Sequence, residues 1–334
     1  MIDANATVGR SKMAEDDIDR ALRPLSFDDF IGQDLIKENL SISIQAATRR
    51  GGVLDHVVFS GPPGLGKTTL SHIIANEMNA NIECVSGPIL EKTGDLAGIL
   101  LKLEDKDILF IDEIHRMRID VEECLYSAME DRKIDILLGQ GTNAKTMTID
   151  LKPFTLVGAT TREDLLSKPF RDRFFINETL EPYSVEESTR IAERTAGKLK
   201  ITLTIGAAKK VAVASRGIPR KVNKFMRRLR DVAEIKGDGR ITEDIATRGL
   251  ERLGVDQFGL ERDERKILEA LSTRRRGIGL KSLAKTLNMG EKSIEEVYEP
   301  YLLTKGYLAI DKNGRHITSK GLDVIRAVRQ GKLL

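Results

Sequence analysis

No stretch of this 334-residue chain approaches 18 uninterrupted apolar residues, so no membrane-spanning helix is expected. The first 20 residues lack an apolar core and carry Glu15, Asp16, Asp17 and Asp19. They do not read as a secretory signal; residues 1–19 are expected to form a flexible tail. Cysteine is scarce, with Cys84 and Cys124 alone and no CxxC spacing. That argues against a disulfide or a zinc site and predicts free, buried thiols in a reducing cytoplasm. The four histidines, His56, His72, His115 and His316, fall in no metal-ligand spacing. Low-complexity segments and solenoid-period repeats are absent. A net charge of +3 is too small to announce nucleic-acid binding, so its distribution carries more weight.

What is present is a phosphate-binding pattern. Gly61-Pro62-Pro63-Gly64-Leu65-Gly66-Lys67-Thr68 fits G-x-x-x-x-G-K-[ST] in full. The apolar run 57–60 before it reads as a buried strand. After Lys67 the spacing of Leu70, Ile73, Ile74 and Met78 predicts a helix. Strand, glycine-rich loop and helix start converge backbone N–H groups and a helix dipole on one anion site. Pro62 and Pro63 have no N–H, so the donors must come from Gly64 through Thr68. Lys67 would reach the β- and γ-phosphates, and the Thr68 hydroxyl would bind Mg²⁺. The competing reading, a glycine-rich surface turn, does not account for this context.

Three further clusters can carry chemistry. Ile108-Leu109-Phe110-Ile111-Asp112-Glu113 is an apolar strand ending in two acids. Asp112 would hold Mg²⁺ directly or through water, and Glu113 would polarise the attacking water. Phe154 to Arg162 is a second strand ending in polar residues, with Thr161 placed to contact the γ-phosphate or the water. Pro169-Phe170-Arg171-Asp172-Arg173-Phe174 follows; Arg173 could stabilise a transferring phosphoryl group in a neighbouring subunit. The bland alternative is an ion pair with Asp172. Gly217-Ile218-Pro219-Arg220 opens a helix with proline at its first turn, pointing Arg220 toward the nucleotide. The rest of that basic helix reads as a solvated face.

Length predicts two or three domains, and the patterning divides the chain at about residues 20–183, 184–255 and 256–334. In the first, strands at 57–60, 82–85, 108–111, 154–157 and 176–180 alternate with helices, which predicts a parallel sheet covered on both faces. In the second, strands stop and helices are expected at 185–199, 205–215, 219–236 and 243–253. The third has helices at 263–271, 280–287 and 291–303. A hairpin then turns at Asn313-Gly314, the strongest two-residue hairpin signal. Three helices and a hairpin make the order of a winged helix. From Asp256 to the end there are 16 Lys and Arg against 11 Asp and Glu, a net +5, leaving −2 elsewhere. Positive charge therefore collects where nucleic acid would be met.

The ordered set GPPGLGKTT, LFIDEIHR, GATTR, FRDRF and GIPR resembles the AAA+ ATPases. The entry segment Arg20-Ala21-Leu22-Arg23-Pro24, Phe30-Ile31-Gly32-Gln33, Ser86-Gly87-Pro88, the 126–131 run and the terminal winged helix are similar to the members that drive branch migration of four-way DNA junctions. The resemblance spans about residues 14–325. It implies an ATP- and Mg²⁺-dependent motor that moves along duplex DNA as a homo-oligomeric, hexameric ring. Gly64, Gly66, Lys67, Thr68 and Thr69 match the phosphate loop. Asp112 and Glu113 match the metal and water-activating acids, and Thr161 the sensor on the following strand. Arg173 matches the finger given in trans and Arg220 the second sensor, and Glu130, Asp131 and Arg132 are further expected nucleotide-binding residues. Leu22, Arg23, Tyr183 and Pro219 match the adenine surroundings. Residues 134–149 resemble a hairpin that docks a junction-binding partner through Ile136-Leu137-Leu138, and a junction nuclease is implied in the same complex. In the wing, Ile310 and Asn313 stand where related proteins often have arginine, leaving Lys312 and Arg315 as the expected DNA contacts. The alternative to a motor is an ATP-switched regulator or clamp-loader-like assembly factor. A transcription factor with a degenerate nucleotide domain conflicts with intact Lys67, Asp112 and Glu113.

Overall fold

The computed structural model describes residues 21–138, 145–274 and 276–331. The expected tail at 1–19 lies outside them. The described chain forms two compact units. One runs to Ile191 and takes back Gly217–Asn223; the other comprises Ala192–Arg216 and the chain from Lys224 onward.

A strand covered on both faces must be apolar at consecutive positions, and three stretches of the first unit meet that condition. After helix α1 (Asp34–Arg49), strand β1 (Val57–Ser60) is buried throughout. Helix α2 (Lys67–Met78) leads to β2 (Ile82–Ser86), and α3 (Thr93–Leu100) to β3 (Ile108–Asp112). Helix α4 (Ile119–Glu130) precedes an antiparallel hairpin, β4 (Lys133–Leu138) and β5 (Lys145–Asp150). Strand β6 (Thr155–Ala159), the short helix α5 (Lys168–Arg171) and β7 (Ile176–Thr179) complete the unit's sheet region. The parallel sheet has the order β2-β3-β6-β1-β7. Its inner strands β3, β6 and β1 are buried, and its edges β2 and β7 are half-exposed. The chain runs outward from β1 to β2, returns through β3 to β6, then crosses to β7 on the far side of β1. That reversal opens a crevice at the carboxyl end of β1, where such sheets bind ligands.

Val58, Leu96, Leu109, Ile111, Leu125, Leu156, Phe170 and Phe174 belong to one buried cluster on this sheet. The edge position of β2 overturns one expectation. Cys84 is exposed and Cys124 half-buried, although neither is disulfide-bonded; an edge strand with one open face cannot bury alternate side chains. In the β4–β5 hairpin, Ile134 pairs with Ile149 and Ile136 with Met147. Its tip at 139–144 and the side chains of Ile136, Leu137 and Leu138 lie outside what is described.

A helical stretch follows, α6 (Val185–Leu199), α7 (Ile205–Ser215), α8 (Pro219–Lys236) and α9 (Glu243–Arg252), of which α6 and α8 begin in the first unit and run into the second. Thr204 and Thr242 cap α7 and α9 by accepting from Ala207 and Ile245 N–H. An isolated parallel bridge joins Leu203 to Ile241, so extended pairing does not stop entirely here. Helices α10 (Arg262–Ser272) and α11 (Leu280–Leu287) follow, then α12 in three segments, Glu291–Ser293, Ile294–Tyr298 and Glu299–Thr304. The middle segment is a π-turn. Pro300 has no N–H to continue the i→i−4 ladder, and a wider turn before it absorbs the mismatch. Strands β8 (Leu308–Asp311) and β9 (Gly314–Ile317) form the wing, and α13 (Ser319–Gly331) closes the chain. Ile267, Leu271, Leu283, Ile294, Leu302, Leu308 and Ile325 form its core.

Two ion-pair clusters stiffen this unit. Arg216, at the end of α7, donates to both carboxylate oxygens of Glu264 and stacks 3.8 Å over the Tyr301 ring. Arg315 of β9 is held by Glu299 of α12. The wing turn itself falls one residue earlier than expected. Asp311 pairs with Gly314, so Lys312 and Asn313 are the central residues. Both keep negative φ, and only Gly314 is positive, at 105°. Asp311 Oδ1 accepts the Asn313 N–H at 2.7 Å, which stabilises this turn without the left-handed Asn that the sequence pattern presupposes.

Candidate functional site

The loop after β1 owes its path to glycine. Gly64 and Gly66 take φ of 83° and 115°, a region closed to most side chains. A Cβ on Gly64 would lie 2.9 Å from Ile218 Cγ2 and 3.1 Å from Arg220 Cβ. The loop can therefore touch the start of α8, where the Arg220 N–H points at Gly64 O across 3.4 Å. Pro219 is the first residue of that helix.

Lys67 opens α2 and is buried. Its Nζ donates to Gly61 O at 2.6 Å and Pro62 O at 3.0 Å, which arches the side chain back over its own loop. Burial pulls its pKa below the ordinary lysine value; Glu113 and Asp112 oppose that shift, and Arg220 reinforces it. These four charges therefore share one electrostatic field. Thr68 and Thr69 stand half-buried in the first turn of α2.

The acids sit where β3 runs out. Asp112 Oδ1 accepts the Glu113 N–H at 3.0 Å. Glu113 adopts a left-handed backbone, φ 50° and ψ 46°, which turns the chain sharply off the strand. Two residues past the neighbouring strand β6, Thr161 Oγ1 donates to Glu113 Oε2 at 3.0 Å. The proposed base and the expected sensor are thus joined before any ligand is considered. His115 Nε2 lies 3.4 Å from the same carboxylate oxygen. Sequence reasoning missed this histidine, because it was weighed only as a metal ligand; its position two residues past Glu113 was the available signal.

Leu22 is buried and Arg23 half-buried. Tyr183 is buried, with its hydroxyl donating to Leu65 O at 3.1 Å and its N–H to Gly217 O at 2.9 Å. Burial pushes its phenol pKa well up, so it remains neutral. Thr68 and Asp112 offer hard oxygen donors. Among the described residues no trio of His, Cys, Asp and Glu could hold a metal alone. That donor set fits Mg²⁺, which keeps waters and takes nucleotide oxygens to complete its shell.

Arg173 belongs to a second cluster. Its guanidinium donates to Pro169 O at 2.6 Å and Glu130 Oε2 at 2.8 Å and lies 4.6 Å over the Tyr126 ring. Its partner is Glu130 and not the adjacent Asp172. The Tyr126 hydroxyl is fixed in turn by Glu122 and Ser167. Asp131 and Arg132 are exposed beyond the end of α4, with Arg132 at φ 53°.

On the wing, Lys312 is exposed at the turn. Arg315 departs from the expectation that it would stand at the tip. Its side chain is 14% exposed and forms a two-pronged bond with Glu299, which is 2% exposed. A nearly buried carboxylate must be paired, and Arg315 is the residue that pairs it.

Comparison with known proteins fits this arrangement. Residues 22–180 match the family model of the Holliday junction DNA helicase RuvB P-loop domain, 183–256 the RuvB AAA lid domain, and 257–326 the RuvB C-terminal winged helix domain. The RuvB subunit of the Holliday junction branch migration complex of Christiangramia forsetii is 50% identical over 324 residues, covering 96% of this chain and 94% of that protein. Its counterpart in Salinibacter ruber is 48% identical over 322 residues, with coverages of 96% and 94%. A solved structure of Thermotoga maritima RuvB, described as a Holliday junction branch migration motor, aligns with a TM-score of 0.79. Identity is 46%, and the match covers 92% of this chain and 98% of that one. Family models over three successive segments and near-complete relatives agree: the chain belongs to the RuvB family.

Proposed function

We propose that this chain is the ATP-hydrolysing subunit of a motor that drives branch migration of Holliday junctions together with RuvA. The observation that carries this reading is the meeting of Lys67, Asp112, Glu113, Thr161 and Arg220 around one glycine loop, in a chain that continues into a winged helix. Lys67 would swing from its loop carbonyls onto the β- and γ-phosphates, with Gly64 through Thr69 supplying N–H donors. Glu113 would accept the proton of the attacking water, and Thr161 would orient that carboxylate. Mg²⁺, held by Thr68 and Asp112, would neutralise charge on the phosphates. Arg220 would read the γ-phosphate from the start of α8. Leu22, Arg23, Tyr183 and Pro219 would enclose the base.

Arg173, with Glu130, Asp131 and Arg132, would serve the nucleotide of the next subunit in a hexameric ring. Among the described residues the bonds and ring contact of Arg173 go to Pro169, Glu130 and Tyr126, which supports that role. Lys312 would meet the phosphate backbone of duplex DNA; Arg315 would hold the wing in shape. The β4–β5 hairpin would dock RuvA, and RuvC would join the same complex. We assign the working divisions 20–183, 184–255 and 256–334 to ATPase, lid and DNA-binding domains. No described helix is long and apolar enough to cross a membrane, and the proposed compartment is the cytoplasm.

The test is migration of a four-way junction with ATP, with and without RuvA. Strand exchange should require ATP hydrolysis and rise sharply with RuvA. Hydrolysis stimulated by duplex DNA with no junction movement would favour the assembly-factor reading.

A further inference from the structure

His115 bridges the ends of the two strands flanking the reaction site. It follows β3 in a short 3₁₀ turn, Ile114–Arg116, and its side chain is only 7% exposed. Its Nδ1 lies 2.9 Å from Thr160 Oγ1, at the end of β6. Its Nε2 lies 3.4 Å from Glu113 Oε2. Thr160 is fully buried and anchored on both sides. Its N–H donates to Phe59 O at 2.9 Å, which ties it to β1. Its hydroxyl accepts the Arg162 N–H at 3.0 Å. The Glu113 carboxylate can only accept, so the tautomer that matches both neighbours carries the ring proton on Nε2 and lets Nδ1 accept from the Thr160 hydroxyl. Burial lowers the imidazole pKa; Glu113 opposes the shift, and Arg116 and Arg162 add to it. The ring is therefore neutral at neutral pH and supplies a directed donor rather than a charge.

We propose that His115 is a positioning residue for hydrolysis: fixed by Thr160, it aims its Nε2 proton at Glu113 Oε2 and sets the orientation of the carboxylate that receives the proton of water. Thr161 hydrogen-bonds Oε2 at 3.0 Å, and His115 Nε2, at 3.4 Å, makes a longer electrostatic contact with the same oxygen, so both constrain that edge of the carboxylate. Thr160 and Thr161 are adjacent, so a shift of the β6 end moves both donors together. The inference rests on Glu113 as the base.

Two substitutions separate the two ends of the ring. His115→Asn keeps an amide oxygen near the Nδ1 position, able to accept from Thr160, and loses the group that faces Glu113. His115→Gln keeps a donor near Nε2 and loses the bond to Thr160. If His115 positions Glu113, His115→Asn lowers kcat by about 10-fold, the low end of what a polar contact to a charged group is worth. ATP affinity should stay near the parent value, because no phosphate contact is touched. His115→Gln should recover most of that loss. Thermal stability should run the other way, with His115→Asn the more stable variant because it keeps the buried Thr160 contact. Activity and stability in opposite order is the expected result. A merely structural histidine would give both in the same order, and that result, or a near-parent kcat for His115→Asn, overturns the proposal. Thr160→Val supplies a second approach: it removes the hydroxyl that fixes the ring, together with its bond from the Arg162 N–H, and should lower kcat without altering ATP affinity. Glu113→Gln separates the two readings. It should bind ATP and hardly hydrolyse it, and adding His115→Asn should then change nothing. If Glu113→Gln hydrolyses at the parent rate, the base assignment has failed; if it is inactive while His115→Asn is normal, only the histidine proposal has.

Discussion

The phosphate loop and the wing were both expected to present cations to phosphate, yet the structure treats them differently. Around the loop, Lys67 points into a field shared with Asp112, Glu113 and Arg220. On the wing, Arg315 turns away from the tip and is consumed by Glu299. The difference lies in what fixes each side chain. Lys67 is placed by local backbone: glycines at positive φ and the first turn of a helix, all within eight residues of sequence. Arg315 is placed by a carboxylate 16 residues away, which folding has buried and which must find a counter-ion. A motif constrains geometry; a charge count does not say which partner a charge will take.

The comparison breaks most visibly at Lys67. Lys67→Ala should abolish both ATP binding and turnover, because in the proposed role the ammonium would meet the phosphates in the ground state as well as in the transition state. A direct nucleotide-binding assay beside the turnover assay checks this. If binding survives and only turnover falls, Lys67 is acting on the transition state alone.

Arg173 lies between the two cases. Like Arg315, it is bonded within its own chain; unlike Arg315, its partner is solvated. Arg173 is 29% and Glu130 63% exposed. An exposed pair of that kind contributes at most about 1 kcal/mol, so Arg173 is free to leave it for a phosphoryl group across a subunit boundary. Arg173→Ala should fold and bind ATP, with turnover reduced by about 10³–10⁵. Mixing it with Lys67→Ala should restore part of the activity, since some interfaces then pair an intact loop with an intact finger. Verified mixed rings without recovery would return Arg173 to the structural class.

These contrasts define what was legible in the sequence. The parallel sheet, the helical stretch and the wing could be read because hydrophobic periodicity tracks burial. Val57–Ser60, Ile205–Ser215 and Leu280–Leu287 form their elements as the patterns predict. Lys67, Glu113 and Thr161 were legible because strand ends next to a phosphate loop leave little choice of position. Long-range pairing was not. Nothing near His115 announces a bond to Thr160, nothing near Arg173 announces Glu130, and Asn313-Gly314 does not reveal that Asp311 will hold the turn one residue earlier. The exposure of Cys84 also follows from strand order, which places β2 at an edge.

A smaller effect sharpens the reassignment of Arg315. Arg315→Ala would leave Glu299 buried and unpaired, at a cost on the order of 3 kcal/mol. The wing should melt earlier and DNA binding should fall through loss of structure. Replacing Arg315 and Glu299 together by methionine should restore most of the stability, because the uncompensated charge is gone. Calorimetry on the full chain distinguishes the outcomes. A double variant as unstable as Arg315→Ala would mean that Glu299 has another role in the wing.

The smallest effect belongs to Lys312, and it completes the contrast. Lys312 is exposed at the centre of the wing turn, so its removal should cost almost no stability. A motor that moves along any sequence must read phosphates and not base edges. Lys312→Ala should therefore weaken binding to unrelated duplexes by a similar factor. The slope of log affinity against log salt should flatten by about one unit for the one lost contact. ATP turnover without DNA should stay at the parent value, because the loop that holds Lys67 belongs to the other compact unit. Parallel salt titrations of the parent and Lys312→Ala decide the matter. An unchanged slope would remove the wing tip from the DNA contact surface and move attention to Lys281 and Lys285 on α11. A uniform loss with a flatter slope would leave the wing with one cation for DNA and one for its own fold.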